Sequence, residues 1–174
     1  MHIPIVRICW GAIGFLYALA FILVGDLTHF TWWSIVWTIA IATLETAQST
    51  LNLTWFFLTT QLIVIIGVLM MSITECSLFN AAKDENGKLL YFSGNFLLHY
   101  APCLFLFAFG TKSLQRQPVE ADVTDIICAL GMVLTYAMLF DPIQKYGCTI
   151  QLEMVFIGLA LLITLLLVIR AVVA

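Results

Sequence analysis

The sequence predicts an all-α fold: a polytopic membrane protein built as a six-helix transmembrane bundle with short loops. Three observations predict it. Of the 174 residues, 63% are hydrophobic and 10% charged, and the mean hydropathy is +1.07, a composition for which a soluble domain of this size has too little interior. Six apolar stretches approach the length of about 20 residues that a helix needs to cross a bilayer. The segments between them are too short to hold a folded domain outside the membrane, so residues 1–174 read as a single transmembrane domain.

The first span, 8–25, follows Arg7 and is uncharged from Ile8 to Val24. That run is long for the apolar region of a cleaved signal peptide, so a retained helix is expected. The second, 30–48, opens with Trp32, Trp33 and Trp37, which suit the aromatic belt at a membrane interface. The third, 53–73, is apolar apart from the Thr59-Thr60-Gln61 patch, and the sixth, 153–172, is interrupted only by Arg170. The fourth, 92–110, carries Asn95, His99 and Pro102 within a Leu- and Phe-rich stretch. The fifth, 125–141, runs between Asp125 and Asp141, which mark its wet ends. With six spans both termini share a side that owns Arg7, Lys112, Arg116 and Arg170, against Lys83, Lys88 and Lys145 opposite. The excess of basic residues on the cytoplasmic side of membrane proteins then places the termini there.

A formal net charge of −3 without a basic cluster excludes nucleic acid as a partner. The five cysteines, Cys9, Cys76, Cys103, Cys128 and Cys148, stand singly, with none of the paired spacing that marks zinc, haem attachment or a redox dithiol. No metal and no cofactor are expected. The expected partners are membrane lipids and, for a bundle of this size, other membrane subunits.

Polar groups are costly in hydrocarbon, so those inside spans point to a site. Asn95 and His99 are four residues apart and stack on one face of the fourth span, while Thr31, Ser34 and Thr38 share a face of the second. Both sets enter the membrane from the non-cytoplasmic end. Where the faces meet, a threonine hydroxyl would lie within reach of an imidazole, the arrangement of a nucleophile with its general base, because a hydroxyl is a poor nucleophile until a base takes its proton. The bland alternative is that Thr31 bonds a carbonyl of its own helix and His99 packs or bridges two helices. Glu45 lies 14 residues beyond Thr31, about 21 Å along a helix, and cannot serve the same site. Gln61 is expected to bond a neighbouring helix. Asp141-Pro142 ends the fifth helix, with a role for Asp141 in orienting His99 as the functional alternative.

The six-span plan, Phe30-Thr31-Trp32 at the start of the second span, and Asn95-Phe96-Leu97-Leu98-His99 followed by Pro102 in the fourth together resemble the androgen-induced membrane hydrolase family. In that family a threonine near the start of the second span and a histidine in the fourth are the catalytic pair, and the substrates are fatty acid esters of hydroxy fatty acids. The resemblance implies a lipid-ester hydrolase with Thr31 as nucleophile and His99 as base, and the placement of polar residues along the spans adds Asn95, Ser34 and Asp141 as supporting groups. The chain departs from the family pattern at Phe96, where a second histidine tends to stand, in the closeness of Pro102 to His99, and in its trimmed loops.

Two further functions compete. A non-catalytic accessory subunit of a larger membrane complex would keep such a bundle as packing material. An ion or proton pathway would need polar groups through the whole membrane thickness, whereas the middle third of the spans is nearly all apolar.

Overall fold

A computed structural model describes residues 3–47, 53–73, 93–94, 96–109, 119–140 and 152–173. Every regular element among them is helical. In chain order they are α1 (Ile3–Val24), α2 (Phe30–Ala47), α3 (Thr54–Ile73), a π-helical turn (Phe96–Tyr100) that runs directly into α4 (Ala101–Phe109), α5 (Val119–Leu139) and α6 (Leu152–Val173). Pro4 falls in the first turn of α1, where its missing N–H breaks no helical bond. Helix α5 opens at Val119, ahead of the expected boundary at 125. Glu120 and Asp122 lower the hydropathy, yet acidic residues suit the first turn of a helix, so an apolarity criterion places the boundary too late.

Between α1 and α2 the chain reverses over five residues. The Gly25 N–H still bonds the Phe21 carbonyl at 2.8 Å, and a Cβ at position 25 would collide with that same oxygen, so only glycine fits. Asp26 organises the turn. Its carboxylate accepts the Thr28 N–H at 2.9 Å and the Thr28 hydroxyl at 2.7 Å, and its Oδ2 lies 3.0 Å from Nδ1 of His29. An acidic group ahead of α2 also complements the positive end of that helix.

Helix α3 is the hub. Every residue from Thr54 to Leu62 is buried, and α3 packs against α2, the π turn, α4, α5 and α6, while α1 packs on α2. One apolar core joins Trp10 and Ile13 of α1, Ile35 and Ile41 of α2, Phe57 and Leu62 of α3, Leu106 of α4 and Leu162 of α6. The helix directions follow from end contacts. Phe21 near the end of α1 meets Trp32 at the start of α2, with ring centroids 6.0 Å apart. The Tyr136 hydroxyl near the end of α5 donates to the Thr28 carbonyl at 2.7 Å. At the opposite end Asp125 of α5 accepts the Phe56 N–H at the start of α3 at 3.2 Å, capping one of the amides that a helix start leaves without an internal partner. Arg170, near the end of α6, lies 5.7 Å over the Trp55 ring at that same end. Thus α1, α3 and α5 run one way, and α2 and α6 run back.

Ile5–Val24 and Glu153–Val172 are long and apolar enough to cross a membrane, and Thr54–Met70, Phe96–Ala108 and Val123–Leu139 are shorter apolar helices. The faces of α1, α5 and α6 that no other described part of the chain covers are apolar, as at Ile22, Met138 and Val172. Contiguous uncovered apolar surface on this scale is foreign to a protein immersed in water.

The three tryptophans of α2 are packing residues between helices. Trp32 is buried against Phe21, and Trp33 donates its indole N–H to the Leu27 carbonyl at 2.8 Å and packs on Tyr136. Trp37 donates to the Met132 sulfur at 3.0 Å and meets Phe56 edge-on, centroids 4.5 Å apart.

Helices α1 and α2 approach closely because small residues face each other. A Cβ at Gly14 would sit 3.0 Å from Ala42 Cβ, and Gly11 faces Thr46 across the same seam. In lipid, where apolar burial drives little, such close backbone packing is a principal source of helix association. Gly14→Leu is therefore expected to wedge α1 from α2 and cost about 1–3 kcal/mol, the range for overpacking a filled interface. The measurement is the unfolding midpoint of the purified protein in detergent; an unchanged midpoint would show that the seam does not bear on stability.

Candidate functional site

The polar face of α2 carries Thr31, Ser34 and Thr38, and its hydrogen bonds run mostly back into its own backbone. The Ser34 hydroxyl donates to the Thr31 carbonyl at 2.7 Å, and the Thr38 hydroxyl donates to the Ser34 carbonyl at 3.0 Å. Small hydroxyl side chains satisfy themselves in this way where no water can reach them. From α3, Gln61 crosses to the same place: its Nε2 donates to the Ser34 carbonyl and to Thr38 Oγ1, both at 3.2 Å. Gln61 thus bonds a neighbouring helix, as expected of a glutamine in an apolar span. The network is sealed, with Ser34, Thr38 and Gln61 exposed by 1% or less.

Thr31 lies at the edge of this network, half-buried in the first turn of α2. It contributes its carbonyl to Ser34, and its hydroxyl is engaged by no hydrogen bond among the described residues. The structure therefore distinguishes two hydroxyls that share one helix face: Ser34 is bound to α2, and Thr31 is not.

His99 sits in the π turn and is 5% exposed. Its Nδ1 is buried with no hydrogen-bond partner among the described residues. The π turn packs on both α2 and α3, the two helices that share the Ser34, Thr38 and Gln61 network. No hydrogen bond joins the Thr31 hydroxyl to the His99 ring among the described residues. Asn95 and Asp141 lie outside the described residues.

A π-helical turn is rare and needs a cause, and here Pro102 provides it. In an α-helical register the proline ring would press on the Leu98 carbonyl and give it no N–H; widening the helix relieves that clash. The Leu97 carbonyl, five residues ahead of Pro102, then looks toward a position that has no hydrogen to donate. Tyr17 of α1 supplies the donor, its hydroxyl reaching the Leu97 oxygen at 2.6 Å. Reading the spans one at a time does not reveal this contact. A signal for it exists nonetheless: a proline inside an apolar helix obliges some other donor to serve the released carbonyl.

Four further buried polar atoms have no partner among the described residues: Gln61 Oε1, Thr59 Oγ1, Trp10 Nε1 and Arg7 Nε. A buried group of this kind costs about 1–3 kcal/mol when left unsatisfied. Among the described residues no group of three or more His, Cys, Asp or Glu gathers as metal ligands would, and Cys9, Cys103 and Cys128 are free thiols. Compared with protein-family models, with curated proteins and with solved structures, the chain matches none.

Proposed function

We propose that this chain is a six-span membrane protein with cytoplasmic termini that holds a lipid-ester hydrolase site near its non-cytoplasmic face, with Thr31 as nucleophile and His99 as general base. The observation that carries the reading is His99 itself. A buried imidazole whose Nδ1 has no partner among the described residues, held in a π turn packed against α2, is an arrangement a bundle keeps for chemistry rather than for stability. The half-buried Thr31 hydroxyl, engaged by no hydrogen bond among the described residues, is the matching nucleophile. Support for six spans comes from the back-and-forth helix order and from the apolar faces turned outward. At 1.5 Å per residue, the 22 residues each of α1 and α6 extend about 33 Å, enough for a hydrocarbon core of about 30 Å.

In the reaction Thr31 Oγ1 attacks the ester carbonyl carbon while His99 takes its proton. The tetrahedral intermediate collapses, the carbon–oxygen bond to the alcohol breaks, and the proton on His99 goes to the departing alkoxide. Water then attacks the acyl-threonine with His99 again as base, releasing the fatty acid and restoring the hydroxyl. The absence of a hydrogen bond between the two groups among the described residues accords with catalytic hydrogen bonds that form only around bound substrate. Asn95 and Asp141 are assigned as supporting groups, and Ser34 as the residue that holds the Thr31 carbonyl.

The test is an activated-phosphonate probe applied to the protein in lipid vesicles. Labelling is expected at Thr31 and is expected to vanish in Thr31→Val; a wild-type protein inert to the probe and to fatty acid esters of hydroxy fatty acids would remove the reading. A second reading, a non-catalytic subunit of a larger membrane assembly, is favoured by one observation: Ser34 and Thr38 bond their own backbone, and nothing among the described residues connects Thr31 to His99. Under it the chain would be recovered in mild detergent only with other membrane subunits.

A further inference from the structure

We infer that Tyr17 is a positioning residue for His99: its hydroxyl holds the Phe96–Tyr100 segment in the π register and so sets the direction and burial of the imidazole. The inference deepens the hydrolase reading, on which its catalytic meaning rests, but its geometry stands apart from turnover.

Three facts carry it. Pro102 has no N–H, so a π turn ending beside it leaves the Leu97 carbonyl without a helical donor. The Tyr17 hydroxyl meets that oxygen at 2.6 Å from a different helix, 80 positions away in the chain. His99 lies two residues beyond Leu97, inside the same turn. A π turn contains one residue more than the α-helix it interrupts, and one residue corresponds to about 100° of rotation in an α-helix. Loss of the π register would therefore swing His99 by about that angle relative to α4, out of the junction with α2 and α3.

The position of the bond explains why the donor is a tyrosine. Tyr17 is buried among core residues, and a long rigid ring carries a hydroxyl across the helix interface at small entropic cost. Its target is a backbone oxygen that no side-chain substitution can remove. The device is thus a pair, Tyr17 and Pro102: the proline releases the carbonyl and the tyrosine receives it.

The experiment measures carbethoxylation of His99 by diethyl pyrocarbonate in the full chain reconstituted in lipid, with His29 as the internal reference, each read by mass spectrometry. Tyr17→Phe keeps the ring and removes only the donor. It is expected to speed modification of His99 by about fivefold, the factor that one net hydrogen bond is worth, with His29 unchanged. The double variant Tyr17→Phe, Pro102→Ala is expected to be modified at His99 no faster than Pro102→Ala alone, because without the proline the turn returns to the α register and Tyr17 has no π register left to hold, whereas a purely space-filling role for Tyr17 would add its own effect. A Tyr17→Phe protein with an unaltered His99 rate, or a double variant in which the effects of the two substitutions add, overturns the inference. If His99 responds as described while Thr31 never labels with the phosphonate probe, the hydrolase reading fails and the positioning role of Tyr17 stands.

Discussion

His99→Ala is expected to lower the rate of phosphonate labelling at Thr31 by on the order of 10²- to 10⁴-fold, the contribution of a positioned general base. A threonine hydroxyl has no appreciable nucleophilicity at neutral pH until its proton is removed, and the turn that holds His99 packs beside α2. The substitution also opens a space in the bundle, since the ring is 5% exposed. Imidazole added to the His99→Ala protein should enter that space and restore part of the labelling, whereas a protein that had merely unfolded would not respond. The unfolding midpoint in detergent should move little, because the variant also removes a buried nitrogen that lacks a partner among the described residues. Labelling of His99→Ala at the wild-type rate would leave Thr31 without its base and favour the accessory-subunit reading.

The largest effect on stability is expected from Trp55→Ala. Trp55 is 1% exposed at the start of α3, the hub of the bundle, and its ring lies under the Arg170 guanidinium of α6. In water, truncation of a buried tryptophan costs about 3–5 kcal/mol. In lipid the transfer part of that cost shrinks, because the separated helix remains in an apolar solvent. What remains is the cavity and the lost dispersion contacts, so a cost of about 3 kcal/mol, the low end of the range in water, is expected. Arg170→Gln isolates the cation–π part, worth about 0.5–1 kcal/mol. The unfolding midpoints of the two variants in detergent measure both quantities, and a loss for Trp55→Ala no greater than that for Arg170→Gln would show that the ring serves only as a platform for the cation.

Several features of the site are legible in the order of residues. The 3.6-residue period alone puts Thr31, Ser34 and Thr38 on one face of a helix, and an isolated glutamine in an apolar span has to find a partner on a neighbouring helix, which Gln61 does through Ser34 and Thr38. Other features are not. The tryptophans of α2 carry the composition of an interfacial belt, yet Trp32 and Trp37 lie between helices, because the aromatic residues of α1 and α3 meet them there. Asp125 marks a polar helix end in the sequence, and in the fold it caps a different helix by accepting the Phe56 N–H. The chain has no G-x-x-x-G motif, but Gly11 and Gly14 still form a close seam against α2.

Composition and hydropathy are enough to predict the all-α class and its long apolar helices. Apolar transfer free energy is nearly additive along a chain, so a mean hydropathy of +1.07 and long apolar runs specify helices with apolar outer faces. Which polar atoms meet is a property of the tertiary structure. Each residue turns a helix by about 100°, so partners across an interface depend on the relative rotation and depth of two helices, which no single span encodes. That is why the Leu97 carbonyl finds Tyr17, and why His99 is left buried with its Nδ1 unengaged among the described residues.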